Sequence, residues 1–301
     1  MAVHLGFPKR SVKLEISQVP MGKIGGEPLW LIPNPNLQCC NQSPTFICQI
    51  FAPGDNDYNY YRYLYVFQCT SCKNCSVYRA QTSKTNEFIQ EIEETKAPNQ
   101  EIDDWNTETN TEDIINLLEK KEQKETLEDL SIEIFEEDIK VTEIINKLYT
   151  LNIKDEASIS DFYEQMEGGV ESAGEEKISN SIEDDEDEDD FDELEQENKE
   201  NRDVSFDVLR WFSNFHNKTP VIRYGKDVLP MWYSDKERPQ IVESVCPCGS
   251  LRKFEFQVLA SMLNYVNNPD VEFGTLIVYT CPKACDSGNF IQEDVLFQPS
   301  Q

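Results

Sequence analysis

Hydrophobic and polar positions alternate differently at the two ends of the chain and in its middle. Phe46-Ile47-Cys48-Gln49-Ile50-Phe51, Tyr61 to Phe67, Phe254 to Val258 and Thr275 to Tyr279 are short runs rich in β-branched and aromatic residues. Such runs read as strands, and Tyr61, Tyr63 and Tyr65 fall on one face. Between 113 and 151 the pattern changes. Ile114, Leu117, Leu118, Leu127, Leu130, Ile134, Phe135, Ile144, Ile145 and Leu148 recur at roughly helical intervals among Glu and Lys. This predicts one or two amphipathic helices within a polar connection, and Val208 to His216 predicts another.

The two strand-like ends repeat one another. Lys23-Ile24-Gly25-Gly26-Glu27-Pro28-Leu29-Trp30 precedes Cys39-Cys40, a strand-like run holding Gln49, and a second run ending in Cys69-Thr70-Ser71-Cys72. Arg223-Tyr224-Gly225 to Pro230-Met231-Trp232 precedes Cys246-Pro247-Cys248, a run holding Gln257, and a second run ending in Cys281-Pro282-Lys283-Ala284-Cys285. A repeat of this kind fixes the architecture before any other argument. The expectation is a mainly β fold with small α content: two related zinc-stapled lobes, 1–82 and 204–301, packed as one pseudo-symmetric body. Residues 83–203 form the linker looped out between them.

Charge sharpens that division. The formal net charge of the 301 residues is -30. Residues 1–82 carry seven Lys/Arg and four Asp/Glu, and residues 204–301 carry nine and eleven. The middle therefore holds 11 basic and 42 acidic residues, a balance of -31. It contains Glu183-Asp184-Asp185-Glu186-Asp187-Glu188-Asp189-Asp190. Blocks of like charge repel themselves and bury little apolar surface, so a disordered linker is expected. The same field attracts a basic partner, with Asp184, Asp185, Glu186, Asp187, Glu188, Asp189 and Asp190 as candidate contacts. It repels phosphates, which argues against direct nucleic-acid binding.

Ten cysteines are present, none between Cys75 and Cys246. No apolar stretch approaches the roughly 20 residues that span a bilayer, and Met1 to Arg10 lacks a secretory core. The chain thus reads as cytoplasmic, with the nucleus as a further compartment, without membrane association and monomeric. In a reducing compartment, close-set cysteines point to metal rather than disulfides. Cys246, Cys248, Cys281 and Cys285 have the spacing of two knuckles on one zinc, and Gly249 suits the turn after the second thiolate. In the first lobe Cys39, Cys40, Cys69 and Cys72 form the corresponding set. Cys75 can replace one of them and Cys48 can join, although its apolar run suits a buried thiol. Two structural zinc sites are expected.

Catalysis finds little support. The two histidines, His4 and His216, stand beside no cysteine pair, and catalytic zinc usually has His or carboxylate ligands and an open position. Trp30 and Trp232 hold equivalent places in the repeat. Each packs its own lobe or serves as a binding anchor, a role in which tryptophan is enriched.

These motifs resemble the programmed cell death protein 2 family. The resemblance rests on Leu5-Gly6-Phe7, the Lys23 to Leu31 segment, Gln49 to Pro53, Val77 to Gln81, Pro220 to Gly225, Pro230-Met231-Trp232, Cys246 to Gly249, Phe254 to Val258 and Thr280-Cys281. The family usually opens its first metal site with Cys-x2-Cys, whereas this chain has Leu37 at the first place and Cys39 beside Cys40. It also lacks the cysteine- and histidine-rich finger that longer members carry between the lobes, and so is similar to the shorter, yeast-type branch. The resemblance implies a dedicated chaperone that captures a newly made, basic small-subunit ribosomal protein, called S two in eukaryotes. An acidic adaptor or histone-type binder is the alternative.

Overall fold

The computed structural model describes residues 2–11, 21–53, 60–83, 129–150, 203–216, 218–226, 228–240, 243–285 and 290–300. Along the chain run β1 (His4–Ser11), β2 (Gly22–Ile24), β3 (Thr45–Phe51), β4 (Tyr61–Gln68) and β5 (Cys75–Thr82). Then follow β6 (Asp129–Glu136), helix α1 (Ile139–Thr150) and helix α2 (Val204–Phe215). The end of the chain gives β7 (Ile222–Tyr224), β8 (Lys253–Leu259), β9 (Thr275–Thr280) and β10 (Ile291–Gln298), with a 3-10 turn at Ala260–Asn264.

The repeat read from the sequence is a repeat of topology. β2-β3-β4-β5 and β7-β8-β9-β10 are two antiparallel four-strand meanders. Their registers correspond: Lys23 faces Gln49 as Arg223 faces Gln257. Each second strand also carries an irregularity, between Phe46 and Cys48 and between Phe254 and Phe256.

The meanders are joined by an exchange of strands. β1 precedes the first meander yet pairs with β7 of the second, Leu5 opposite Arg223. β6 precedes the second yet pairs with β2 of the first, Lys23 opposite Ser131. β1 and β6 pair with each other from His4↔Glu136 to Ser11↔Asp129. On the far side β5 meets β10 through Arg79↔Ile291, Tyr78↔Gln292 and Val77↔Glu293. The sheet thereby closes into a barrel of order β1-β6-β2-β3-β4-β5-β10-β9-β8-β7. Closure removes the unpaired edges that an open sheet exposes.

Residues 129–150, read from the sequence as part of a polar linker with one or two amphipathic helices, form strand β6 and then helix α1. Leu130, Ile132 and Ile134 alternate with Ser131 and Glu133, which is strand periodicity, and helix begins only at Ile139. Ile132 is 4% exposed, and a Cβ at Gly6 or Gly22 would lie 2.7 Å from its side chain. Both neighbouring strands thus make room for it with a glycine. The acidic run 183–190 lies outside the described residues.

Ile24, Ile50, Leu64, Val66, Val77, Ile222, Phe256, Val258 and Val278 belong to the central apolar cluster with Ile132. The two helices cover Leu5, Phe7, Met231 and Leu259 through Val141, Ile145, Val208 and Phe212. α2 is capped by Asp203, whose carboxylate accepts the Phe206 N–H at 3.0 Å. His216 at its end lies against Phe7, Phe212 and Phe215. Buried arginine–glutamate pairs tie distant segments together. Arg62 holds Glu255 through two bonds of 2.8 and 2.7 Å, Arg79 holds Glu293 at 2.7 Å, and Arg223 holds Glu137 at 2.8 Å. The first two join one meander to the other.

Candidate metal centres

Both knuckle pairs begin at strand ends, which explains how short cysteine spacings converge. In the second half, β8 follows the turn that holds Cys246 and Cys248, and β9 ends just before Cys281. The N–H of Cys246 bonds the Ser250 carbonyl at 2.8 Å, and the N–H of Gly249 bonds the Cys246 carbonyl at 2.8 Å. Gly249 takes φ +83°, a left-handed turn that glycine adopts without cost from a side chain. Ala284 takes φ +42° and turns Cys285 back toward the cluster.

The sulfurs of Cys246, Cys248, Cys281 and Cys285 all lie within 4.8 Å of one another. Cys246 and Cys285 are 3.4 Å apart, and Cys248 and Cys281 are 3.6 Å apart. With zinc–sulfur bonds of about 2.3 Å, tetrahedral thiolates sit about 3.8 Å from each other. The donor set and its spacing therefore fit zinc.

The first half builds the same group from a less regular sequence. Cys39, Cys40, Cys69 and Cys72 also lie within 4.8 Å, with Cys39 3.6 Å from Cys72 and 4.0 Å from Cys40. Adjacent cysteines ordinarily point apart. Here Cys40 takes φ +51° and Asn41 φ +61°, so both thiols reach one centre while Cys39 and Gln42 close a small bridge. Gln42 donates to the Cys69 sulfur at 3.6 Å. The structure thus selects among the alternatives left open by the sequence. Cys75 heads β5 and accepts from Gln68 at 3.4 Å, and Cys48 is fully buried in the central cluster; neither belongs to the group.

Hydrogen bonding separates the thiols by acidity. The backbone N–H of Cys72 lowers the Cys69 thiol to about 6, and the Ser250 hydroxyl and N–H lower Cys248 to about 6. Cys39 is pushed up to about 12, first by its hydrogen bond with Cys72, and Cys285 to about 12, first by burial. Cys69 and Cys248 are thus each poised to meet an arriving cation as thiolates. The cation's own charge must draw the remaining protons off, so metal uptake releases protons.

The second centre is anchored from the other half. Arg79 donates to the Cys285 carbonyl at 3.0 Å and to its sulfur at 3.7 Å, and Gln81 donates to the Ala284 carbonyl at 2.9 Å. Glu293, held by Arg79 and Arg252, accepts the N–H of Cys281 at 3.3 Å. The sequence gives Arg79, Gln81 and Glu293 no part in this centre, since no spacing links β5 to a cysteine some 200 positions away.

The two tryptophans differ. Trp232 is 7% exposed, whereas Trp30 is half-buried, stacked on Tyr65 with centroids 5.1 Å apart.

Comparison with known proteins finds the same family at both ends of the chain. Residues 2–96 match the N-terminal domain of programmed cell death protein 2, and residues 210–299 match its C-terminal domain. Programmed cell death protein 2 of Bos taurus is 34% identical over 83 residues, 26% of this chain and 24% of the relative, and the Mus musculus protein gives the same figures. Programmed cell death protein 2-like of Gallus gallus is 48% identical over 59 residues, 16% of each chain. These alignments span about a quarter or less of the length of the curated relatives. No solved structure matches the chain.

Proposed function

Because the chain belongs to the programmed cell death protein 2 family, we propose that it is a chaperone for a basic small-subunit ribosomal protein, the S two protein of eukaryotes. It holds that client soluble until small-subunit assembly takes it over. The observation that carries this reading is the segregation of charge. Residues 83–203 have a balance of -31, while the two ends that build most of the barrel are nearly neutral.

In this reading the barrel is the rigid body and the acidic segment the lure. A field of that strength accelerates encounter with a cationic client and competes with stray RNA for it. Ribosomal RNA, the denser polyanion, then displaces the chain. The protein acts by binding rather than catalysis, alone as a monomer, in the cytoplasm where ribosomal proteins are made and also in the nucleus. It makes no direct contact with nucleic acid or membrane. Two cysteine groups suited to zinc support this reading, since a scaffold closed by strand exchange and stapled at two points holds its surface fixed.

Affinity capture of the intact chain from growing cells at moderate salt tests the proposal. One small-subunit ribosomal protein, near stoichiometric and free of the rest of the subunit, is the expected result. A broad spread of basic proteins would instead identify an acidic adaptor.

A further inference from the structure

The internal repeat allows one half to report what the other lacks. Trp30 and Trp232 each follow a residue whose backbone is clamped by the buried glutamine of the adjoining meander, Leu29 by Gln49 and Met231 by Gln257. Their supporting walls correspond as well. Gln49 faces Tyr65 across β3 and β4, and Gln257 faces Ile277 across β8 and β9. Trp30 stacks on Tyr65 and Phe67, and Trp232 packs with Ile277 and Tyr279.

What covers the two rings is different. Over Trp232 lies the guanidinium of Arg238, 5.7 Å from the ring centroid and 5.8 Å from that of Tyr149. Its charge is answered by Asp235, and it donates to the Ser205 hydroxyl at 2.6 Å. This is a cation–π lid built from the chain itself. Trp30 has Phe290 edge-on at 5.6 Å but borders an open groove of about 300 Å³. Trp30, Phe46 and Phe67 supply its aromatic side, and Glu27, Asn34 and Ser43 line it with acceptors. No lysine or arginine is among the described residues that line it. Lys23 is buried beneath the Gly25–Gly26 turn, outside that lining.

We propose that the groove over Trp30 binds an arginine side chain from a basic partner segment, in the role that Arg238 fills over Trp232. Glu27, exposed at the rim, takes the part of Asp235. An aromatic surface with a carboxylate beside it favours the planar, weakly hydrated guanidinium over the ammonium of lysine. This deepens the basic-client reading and rests on it for the partner's identity, but not for the groove.

The test is calorimetric titration of the full zinc-loaded chain with a ten-residue Gly/Ser peptide carrying two arginines, and with the same peptide carrying citrulline or lysine. The arginine peptide binds, and the neutral citrulline peptide binds at least about tenfold more weakly, as loss of a cation–π contact and its ion pair requires. Glu27→Lys, at an exposed position, and Trp30→Leu each weaken arginine-peptide binding by about the same factor. Far-ultraviolet dichroism and a zinc content of two confirm that each variant is folded. Equal affinity for the arginine and citrulline peptides, no binding at all, or indifference to Glu27→Lys in the folded protein overturns the proposal. Capture of the ribosomal client separates the two readings. A client retained in full by Glu27→Lys removes it from the groove while leaving the chaperone reading intact. Arginine-peptide binding without any ribosomal client sinks the chaperone reading and leaves the groove.

Discussion

Gln49 and Gln257 make the same pair of hydrogen bonds in the two halves of one barrel. Gln49 accepts the Leu29 N–H at 2.7 Å and donates to the Leu29 carbonyl at 3.3 Å; Gln257 accepts the Met231 N–H at 2.8 Å and donates to the Met231 carbonyl at 3.2 Å. Both side chains are fully buried. A primary amide suits the task, because it offers one donor and one acceptor to a strand-like backbone that has no neighbouring strand there. Gln257→Leu leaves the Met231 N–H and carbonyl without their amide partner, whereas Gln49→Leu frees only the Leu29 N–H, since the Leu29 carbonyl also accepts the Tyr65 hydroxyl at 2.9 Å. Gln257→Leu is expected to cost about 2–4 kcal/mol in urea unfolding and Gln49→Leu about 1–3 kcal/mol. Gln49→Leu also shifts the fluorescence of Trp30, which stands next to the freed backbone.

The pair Arg62 and Glu255 gives the barrel a pH dependence. Burial opposes ionisation of Glu255. The Arg62 guanidinium and the hydrogen bonds from Arg62, Thr280 and Tyr224 outweigh it and bring the carboxyl from 4.5 down to about 2. A folded value below the unfolded one stabilises the fold above 4.5, and that stability is lost as pH falls toward 2. The loss is on the order of 3 kcal/mol. Glu255→Gln leaves a buried, unpaired guanidinium and costs about 3–5 kcal/mol at neutral pH. Urea unfolding of both proteins from pH 7 to pH 3 checks this: the wild type loses stability, and the variant starts low and changes less.

Metal content discriminates the two cysteine groups from their neighbours. Cys72→Ser and Cys248→Ser are each expected to leave one zinc per chain, while Cys48→Ser and Cys75→Ser retain two. Chelation lowers the melting temperature, since structural zinc contributes folding free energy directly. Adding zinc back acidifies a weakly buffered solution as the raised thiols of Cys39 and Cys285 release protons. Retention of two zinc ions by Cys248→Ser contradicts the assignment.

Strand exchange predicts that neither half folds alone. A fragment ending before β6 loses the strand that pairs with β2 and the strand that β1 pairs along. Residues 1–128 and 129–301 expressed separately give no cooperative unfolding transition, and mixing them restores one. Independent folding of 1–128 contradicts the exchange.

Removal of 183–200 leaves zinc content and melting temperature unchanged. It lowers the association rate with a basic client and flattens its salt dependence, because long-range attraction is screened within about 8–10 Å at physiological ionic strength. Stopped-flow association at two salt concentrations reads this directly.

The features legible in the sequence are those encoded over short distances. The cysteine pairs, the Gln49 and Gln257 strands and the glycine turns each need only a few neighbouring residues, and their repetition exposes them. Strand β6 was hidden because Leu130, Ile132 and Ile134 sit in a Glu-rich segment where apolar residues from Ile114 to Leu148 also satisfy a helical count. The convergence of the adjacent Cys39 and Cys40 thiols depends on the left-handed backbone at Cys40 and Asn41, which no spacing in the sequence encodes. The pairs Arg62–Glu255 and Arg79–Glu293 join positions 193 and 214 residues apart, a relationship that closure of the barrel creates and no local pattern announces. The difference between Trp30 and Trp232 likewise depends on Arg238, which only the folded chain brings over the second ring.

The most direct test of the central claim mixes the purified chain with purified small-subunit ribosomal protein S two in the absence of RNA and follows both by sedimentation. A chaperone of this client keeps the ribosomal protein in solution as a defined complex and gives it up when ribosomal RNA is added. Failure to keep it soluble, or equal protection of an unrelated basic protein such as a histone, would contradict the account.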